Sequence, residues 1–130
     1  MSGVSDLHEL LGTLNPEARD GEFIVATIPD GELGRLAPEA VIRESEGATV
    51  VLRREDADAA GIPYDFVAAW ITLTVHSDLA AVGLTAAFST ALADADISCN
   101  VLAGFHHDHL LVPADRRHDA LEVLAALAER

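Results

Sequence analysis

The 130-residue sequence has one cysteine, no lysine and no long apolar run. With Cys99 as its single thiol, the chain cannot form an internal disulfide, which is typical of proteins kept in a reducing cytoplasm. Every apolar segment is shorter than the roughly 20 residues that a membrane span requires. The first residues also lack the basic and apolar regions of a signal peptide. We therefore expect a cytoplasmic protein that does not enter a membrane.

Positive charge is also scarce: 8 arginines stand against 22 acidic residues, and the formal net charge is −14. So few cations exclude nucleic acid and anionic membrane surfaces as partners, because both need Lys and Arg against phosphates. Two explanations stay open. One is an acidic patch facing a partner or a cation, and the other is adaptation of the whole surface to high salt. The scattered acids and many alanines favour the halophilic explanation, although GC-rich coding gives the same signature.

Apolar residues make up 50% of the chain, which excludes wholesale disorder. A chain of this length buries roughly two-thirds of its unfolded surface. We therefore expect one compact domain, or two small ones with a shared core, that folds without a disulfide or a metal.

Hydrophobic periodicity predicts helices and strands along the whole chain. In the first half it predicts a helix from Asp6 that ends at Asn15-Pro16, strands at residues 22–28, 41–44 and 48–53, and a polar helix at 54–60. In the second half it predicts a strand at 66–75, a helix from Leu84 to Ala95, strands at 97–103 and 108–112, and a helix after Pro113.

The order of these elements predicts an α+β protein of two tandem ferredoxin-like βαββαβ halves, with antiparallel sheets that carry helices on one face. We place the halves at residues 1–62 and 63–130, with the seam at Gly61 to Tyr64. The second half supplies only three strands, so the halves are expected to share strands. Residues 22–28 are the natural donor of the fourth.

The segment from Trp70 to Pro113 (WITLTVHSDLAAVGLTAAFSTALADADISCNVLAGFHHDHLLVP) resembles the ACT-domain family. The residues that carry this likeness most specifically are 74–77 followed by 81–84, then 97–101 and 104–109. The likeness extends over about residues 64–128 and, in outline, over the first half. It is greatest to the small prokaryotic proteins made of two tandem ACT-like halves.

This resemblance implies a non-enzymatic regulatory module that binds a small molecule, most often an amino acid, without a cofactor. ACT domains usually accompany a catalytic or DNA-binding domain, for which this chain has no room. The resemblance therefore implies a stand-alone sensor, or a subunit that acts on an unidentified protein target. Because tandem ACT pairs often hold ligands between two ACT units, it also implies a homodimer. A ligand-free module for protein–protein interaction or oligomerisation stays open as the alternative.

The loop between strand 66–75 and the next helix is the predicted ligand site. Unpaired N–H groups at a helix N-terminus suit a ligand carboxylate, and a glycine lets the backbone approach it closely. The resemblance assigns ligand binding to Ser77, Asp78, Val82, Gly83, Leu84 and Asn100. Asp78 would pair with an α-amino group, and Asn100 would face the ligand from the adjoining strand. The structural alternative is that Ser77-Asp78 caps the helix and Gly83 serves close packing.

The segment His106 to His109 has a composition that suits Zn, Ni or Fe. Alternate residues of a strand share a face, so His107 and His109 would point to one side and Asp108 to the other. Two histidines fall short of the four ligands of a structural site, and we predict no bound metal. A polar hairpin turn, a ligand contact and a pH-sensitive interface stay open as explanations.

The sequence lacks the common catalytic patterns, namely a P-loop, G-x-G-x-x-G, G-x-S-x-G and H-E-x-x-H. Cys99 lies among apolar residues of a predicted strand, which indicates a buried structural thiol rather than a nucleophile. Trp70, inside the longest apolar run, is a predicted core residue. We expect no enzyme, and a metal-dependent one built on His106 to His109 is the remaining catalytic hypothesis.

Overall fold

The computed structural model describes residues 7–74 and 83–129, and the chain divides into two compact units. We call Asp20–Ala68 the central unit, and Met1–Arg19 together with Ala69–Arg130 the terminal unit. The strands are β1 Pro16–Ala18, β2 Phe23–Ile28, β3 Ala40–Glu44, β4 Gly47–Arg53, β5 Val67–Leu73, β6 Asn100–Ala103 and β7 Asp108–Pro113. The helices are α1 Leu7–Gly12, α2 Arg54–Ala60, α3 Leu84–Asp94 and α4 Arg117–Leu127, with 3-10 helices at Asp30–Arg35 and Ala114–Arg116. Among the described helices, none is long and apolar enough to cross a membrane.

In the terminal unit, β5 is the strand to which the other strands attach. β1 pairs antiparallel with its second half, with Pro16 opposite Leu73 and Ala18 opposite Ile71. β7 lies beside β5, and β6 pairs antiparallel with β7, which gives the order β1-β5-β7-β6. β6 is therefore an edge strand of this unit.

One face of the terminal sheet packs against the helices. Alternate residues of β5 and β7 are buried there, as the period of two in a strand requires. Residues three or four apart on α3 and α4 meet them, which is the spacing of one helix face. The buried cluster is Leu14, Ala69, Ile71, Leu73, Leu84, Phe88, Leu92, Ile97, Leu110, Val112, Ala120, Leu124 and Leu127.

The central unit has the strand order β3-β4-β2, and the first residues of β2 pair with the first residues of β5. Its buried cluster is Ile24, Ile28, Ala48, Val50, Leu52 and Ala57. In each unit the elements follow the order strand, helix, strand, strand, helix, from β2 to α2 and from β5 to α4. The predicted α+β fold of two ferredoxin-like repeats, with helices on one face, is confirmed.

The strand that completes the terminal sheet differs from the predicted donor. β1 pairs with Ile71–Leu73, whereas β2 pairs with β5 only at Val67 and Ala68, inside the central unit. The sequence predicts only a helix end at Asn15-Pro16, since a proline disfavours helix at the residue before it. Two hydrogen bonds that no local pattern shows hold the chain there: the Asn15 backbone carbonyl accepts from the Thr74 N–H at 3.0 Å and from the Thr74 hydroxyl at 3.1 Å.

The strand predicted at residues 97–103 begins only at Asn100. The residues before it end α3 instead. Asp96 adopts a left-handed conformation with φ 61°, and the Ile97 N–H donates to the Leu92 carbonyl at 2.9 Å. Such a bond satisfies a carbonyl in the last turn of the helix, so Ile97 enters the core from a helix end and not from a strand.

Gly47 is the described glycine with the least room for a side chain. Its φ is 147°, and a Cβ there would lie 2.7 Å from the Ile28 carbonyl oxygen. We expect Gly47→Ala to lower the free energy of unfolding by about 1–3 kcal/mol, because it combines backbone strain with a clash. A Cβ at Gly31 meets nothing within 4 Å, so Gly31→Ala is the matched control and should change stability by less than about 0.5 kcal/mol. Urea unfolding of both variants measures these changes in the free energy of unfolding. Equal decreases in the two variants would contradict this account.

Candidate functional site

Gly83 and Leu84 form the described end of the predicted ligand loop, at the N-terminus of α3. Gly83 is left-handed (φ 102°, ψ −22°), and its carbonyl accepts the Ala87 N–H at 2.9 Å. No side chain in the described part of the chain caps this helix end. Leu84 is buried in the core cluster, so only its backbone is available to a ligand. The other loop residues of the predicted site, Ser77, Asp78 and Val82, lie outside the described residues.

Gly83 also has a packing reason to be glycine. A Cβ at this position would lie 3.2 Å from Leu7 Cδ2, on a backbone that other residues rarely adopt. The two residues belong to the lining of a groove of about 760 Å³ whose other walls come from α1, α3 and α4. Close packing of α1 on α3 therefore accounts for Gly83 independently of any ligand.

Asn100 lies on the sheet face away from α3. It is an exposed residue at the start of β6, while the next residue, Val101, packs against the helix-side core cluster. Successive side chains of a strand point to opposite faces, so Asn100 points away from the face that α3 covers. Within the described part of one chain, the structure does not bring Gly83 and Asn100 onto one face.

The histidine segment forms the β6–β7 hairpin and the start of β7. The Gly104 N–H donates to the His107 carbonyl at 2.9 Å and closes the predicted turn. At its tip Phe105 is 78% exposed, and the His106 ring meets the Phe105 ring edge-on at 5.0 Å. Among the described residues, no three His, Cys, Asp or Glu side chains are grouped so as to hold a metal ion.

His109 joins a polar cluster with Trp70 and Thr72 that the sequence analysis missed. The Trp70 Nε1–H lies 3.2 Å from Thr72 Oγ1 and 3.3 Å from His109 Nδ1, and Thr72 Oγ1 is 3.0 Å from the same nitrogen. An indole N–H is only a donor, so His109 Nδ1 must accept and its neutral form carries the proton on Nε2. The signal was the two-residue spacing of Trp70 and Thr72, which places both on one strand face.

The surroundings of His109 oppose its protonation. Burial is the largest cause that lowers the pKa of His109, followed by the charge of His107; Asp108 raises the pKa, and Arg19 has a smaller lowering effect. The Arg19 guanidinium lies 4.9 Å from the centre of the Trp70 ring, which is within the range of a cation–π contact. Trp70 itself is 6% exposed and buried, as predicted.

Cys99 is half-buried and packs against the core cluster of the terminal unit. Burial raises the pKa of its thiol to about 11. At neutral pH it is therefore a protonated thiol and a weak nucleophile.

Two family models, each described as an ACT domain, match residues 2–69 and 66–126. The chain belongs to the ACT-domain family. A protein of unknown function from Vibrio cholerae, described as a possible transport protein, is 43% identical, with a TM-score of 0.87 over 94% of this chain and 95% of that one. The resemblance to proteins made of two ACT-like halves is thus confirmed. A comparison with curated proteins finds no match.

More distant solved structures share the fold alone. The ligand-free regulatory subunit of aspartate kinase from Thermus thermophilus is 12% identical, with a TM-score of 0.67 over 88% of this chain and 97% of that one. A protein from Agrobacterium tumefaciens is 19% identical, with a TM-score of 0.62 over 88% and 89% of the two chains. ACT domains are regulatory modules, and neither the family models nor these structures indicate a catalytic family.

The lowered pKa of His109 predicts a pH dependence of stability. A native pKa below the ordinary 6.5 means that the unfolded chain takes up the proton first. Neutral His109 therefore contributes fully to the free energy of unfolding above about pH 6.5. This contribution is lost as the pH falls from there to the lower native pKa. We expect the free energy of unfolding to fall less between about pH 8 and about pH 5 in His109→Asn than in the wild type.

Asn is the informative replacement because its Oδ1 can accept the same hydrogen bonds without titrating. His118→Asn is the control, since its side chain is 84% exposed and pairs only with Glu122 among the described residues. Denaturant unfolding at both pH values measures the difference. An H109N pH profile that matches the wild type would contradict the assignment.

Proposed function

We propose that this protein is a non-enzymatic sensor that binds a small molecule, in the first instance an amino acid, and acts through a homodimer. The observation that carries the proposal is the pair of ACT domains filling the chain. The aspartate kinase regulatory subunits that share the fold support a regulatory role. Because a regulatory module acts on another protein, the proposal includes a target protein whose identity is open.

The proposed ligand mode uses the N-terminal end of α3. This helix has 11 residues, and its first backbone N–H groups carry partial positive charge that suits a carboxylate. Among the described residues, no side chain caps these groups. In this proposal Ser77, Val82, Gly83 and Leu84 provide backbone or hydroxyl contacts, and Asp78 pairs with the ligand's ammonium group.

A homodimer follows from the position of Asn100 in this proposal. Asn100 and α3 lie on opposite faces of the terminal sheet, so Asn100 takes part in ligand binding only across an interface with a second copy. β6 is an edge strand whose outer N–H and C=O groups are available to another strand. A ligand held between two copies would stabilise one arrangement of the dimer, which a target can read.

The alternative is an ACT-like module that binds no small molecule and serves oligomerisation alone. The contact of Leu7 with Gly83 favours it, because packing by itself explains that glycine. A measurement of ligand binding distinguishes the sensor from the oligomerisation module directly.

We expect one or two of the twenty amino acids to raise the melting temperature by several degrees. A ligand at about 100 times its Kd adds about 2.7 kcal/mol to stability. Asp78→Asn should abolish the shift, and Asn100→Ala should weaken it and shift the dimer towards monomer in sedimentation analysis. Asp94→Asn, an exposed carboxylate at the far end of α3, is the matched control. We avoid substituting Gly83, because strain there would lower stability without any ligand.

The screen is run in dilute buffer and in molar KCl, since 22 acidic residues repel one another when salt is low. Divalent metals are screened in parallel. A shift with metal alone would restore the histidine hypothesis, and no shift with any amino acid in either buffer would leave the oligomerisation module.

A further inference from the structure

A buried hydrogen-bond donor faces the nitrogen of His109 that would take up a second proton. The Trp70 Nε1–H lies 3.3 Å from His109 Nδ1, and an indole nitrogen can only donate. Trp70 is buried, so its N–H depends on protein acceptors. Neutral His109 accepts this bond, whereas protonated His109 would place one N–H against another. The contact therefore distinguishes the two protonation states of this histidine.

The Thr72 hydroxyl allows the cluster to hold either state. Its Oγ1 lies 3.2 Å from Trp70 Nε1 and 3.0 Å from His109 Nδ1, so one oxygen is within reach of both nitrogens. A hydroxyl has one hydrogen that rotates and two acceptor lone pairs. Beside neutral His109 it donates to Nδ1, and beside protonated His109 it accepts from Nδ1 and from the indole together. Rotation of one hydroxyl therefore accommodates the proton without moving a strand.

Arg19 adds a charge that the hydroxyl does not neutralise. Its backbone N–H donates to the Trp70 carbonyl at 2.9 Å, and its guanidinium lies 4.9 Å from the centre of the Trp70 ring. The centre of the His109 ring lies 5.4 Å from that of Trp70. A proton on His109 therefore places a second positive charge beside the same indole, and the two cations repel each other.

The other charges near His109 come from its own strand and from β1. His107 shares its strand face, and Asp108 is its neighbour in the chain. Glu17 of β1 lies opposite Thr72 and shares the face of the cluster. Among the described residues, β5 and β6 contain no titratable side chain. Protonation therefore occurs against two cationic neighbours, one of which is itself a histidine, and beside two carboxylates.

The turn of the β6–β7 hairpin packs against the same imidazole. A Cβ on Gly104 would lie 3.1 Å from His109 Nε2, so this turn has no room to spare beside the ring. The Gly104 N–H donates to the His107 carbonyl at 2.9 Å and closes the turn on which Phe105 is exposed. A shift of the imidazole is therefore transmitted to the hairpin turn.

We propose that Trp70, Thr72 and His109 form a proton switch, in which the hydroxyl reverses its hydrogen bond as the imidazole takes up a proton. The hairpin turn and Arg19 respond to the change. Thr72 is the positioning residue, because its oxygen contacts both nitrogens. The switch makes acidity an input to this protein. It requires neither the proposed amino-acid ligand nor the proposed dimer, so its failure and theirs are separate results.

The test follows the indole N–H resonance of the 15N-labelled protein, which is unique because the chain has one tryptophan. We expect this resonance and the Gly104 amide to shift between about pH 8 and about pH 5, with the same midpoint as the ring protons of His109. His109→Asn should make the indole resonance independent of pH, and His118→Asn on α4 should leave its titration unchanged. An indole resonance that does not follow His109 would overturn the switch.

Thr72→Val tests the hydroxyl itself, because valine has the shape of threonine without the oxygen. Protonated His109 then loses its acceptor, and a hydrogen bond to a charged group is worth more than one to a neutral group. The midpoint of His109 should fall by about one pH unit. Thr72→Ser keeps the hydroxyl and should keep the midpoint, as should Thr85→Val, an exposed control on α3. An unchanged midpoint in T72V would overturn the role of Thr72.

Thr72→Ala replaces T72V if that variant does not fold, since it also lacks the hydroxyl. Arg19→Gln tests the charge and should raise the midpoint of His109, whereas Arg43→Gln, an exposed control on β3, should not. The effect of R19Q should shrink in molar salt, which screens the repulsion. A midpoint that is the same in R19Q and in the wild type at low salt would overturn the coupling to Arg19.

Discussion

Burial of β5 on both faces is the constraint on which the fold depends. Ala69, Ile71 and Leu73 face the helices, while Ala68 and Trp70 are buried on the other face. A strand that is buried on both faces reads as a continuous apolar run, and this is the longest such run in the sequence. Its backbone groups need partners on both edges. In the terminal unit β7 pairs along one edge of β5 and β1 along the other, so residues 16–18 complete a sheet otherwise formed by the second half of the chain.

Burial of β5 also requires the polar side-chain groups on this strand to have hydrogen-bond partners. The Trp70 indole N–H sits in a buried strand and must find an acceptor. The acceptors are Thr72 Oγ1 and His109 Nδ1, and the bond to His109 Nδ1 fixes the tautomer of the neutral imidazole. His109 is thus held by hydrogen bonds to Trp70 and Thr72, while His106 and His107 are exposed on the hairpin. The grouping that suggests metal binding in the sequence is divided by the turn between a loop and a strand.

The two ACT halves differ in the element that follows their first strand. The terminal half has a full α-helix after its first strand, with a left-handed glycine at its start and no side-chain cap among the described residues. The central half has a short 3-10 helix there and, beneath it, an apolar cavity with one carboxylate and one guanidinium. The first arrangement offers backbone N–H groups, and the second offers side-chain charges.

The sequence by itself determined the fold class, most helices and strands, the family and the burial of Trp70, because each rests on local periodicity or on a contiguous motif. The tertiary structure alone decided the rest. β1 is only three residues long and has no periodicity of its own, so its pairing depends on Asn15 meeting Thr74, 59 residues away. The face of Asn100 depends on where α3 ends, which the left-handed Asp96 sets. The cavity joins residues 27–36 to residues 60–63, and no pattern in a linear sequence shows that two such segments will leave a space between them.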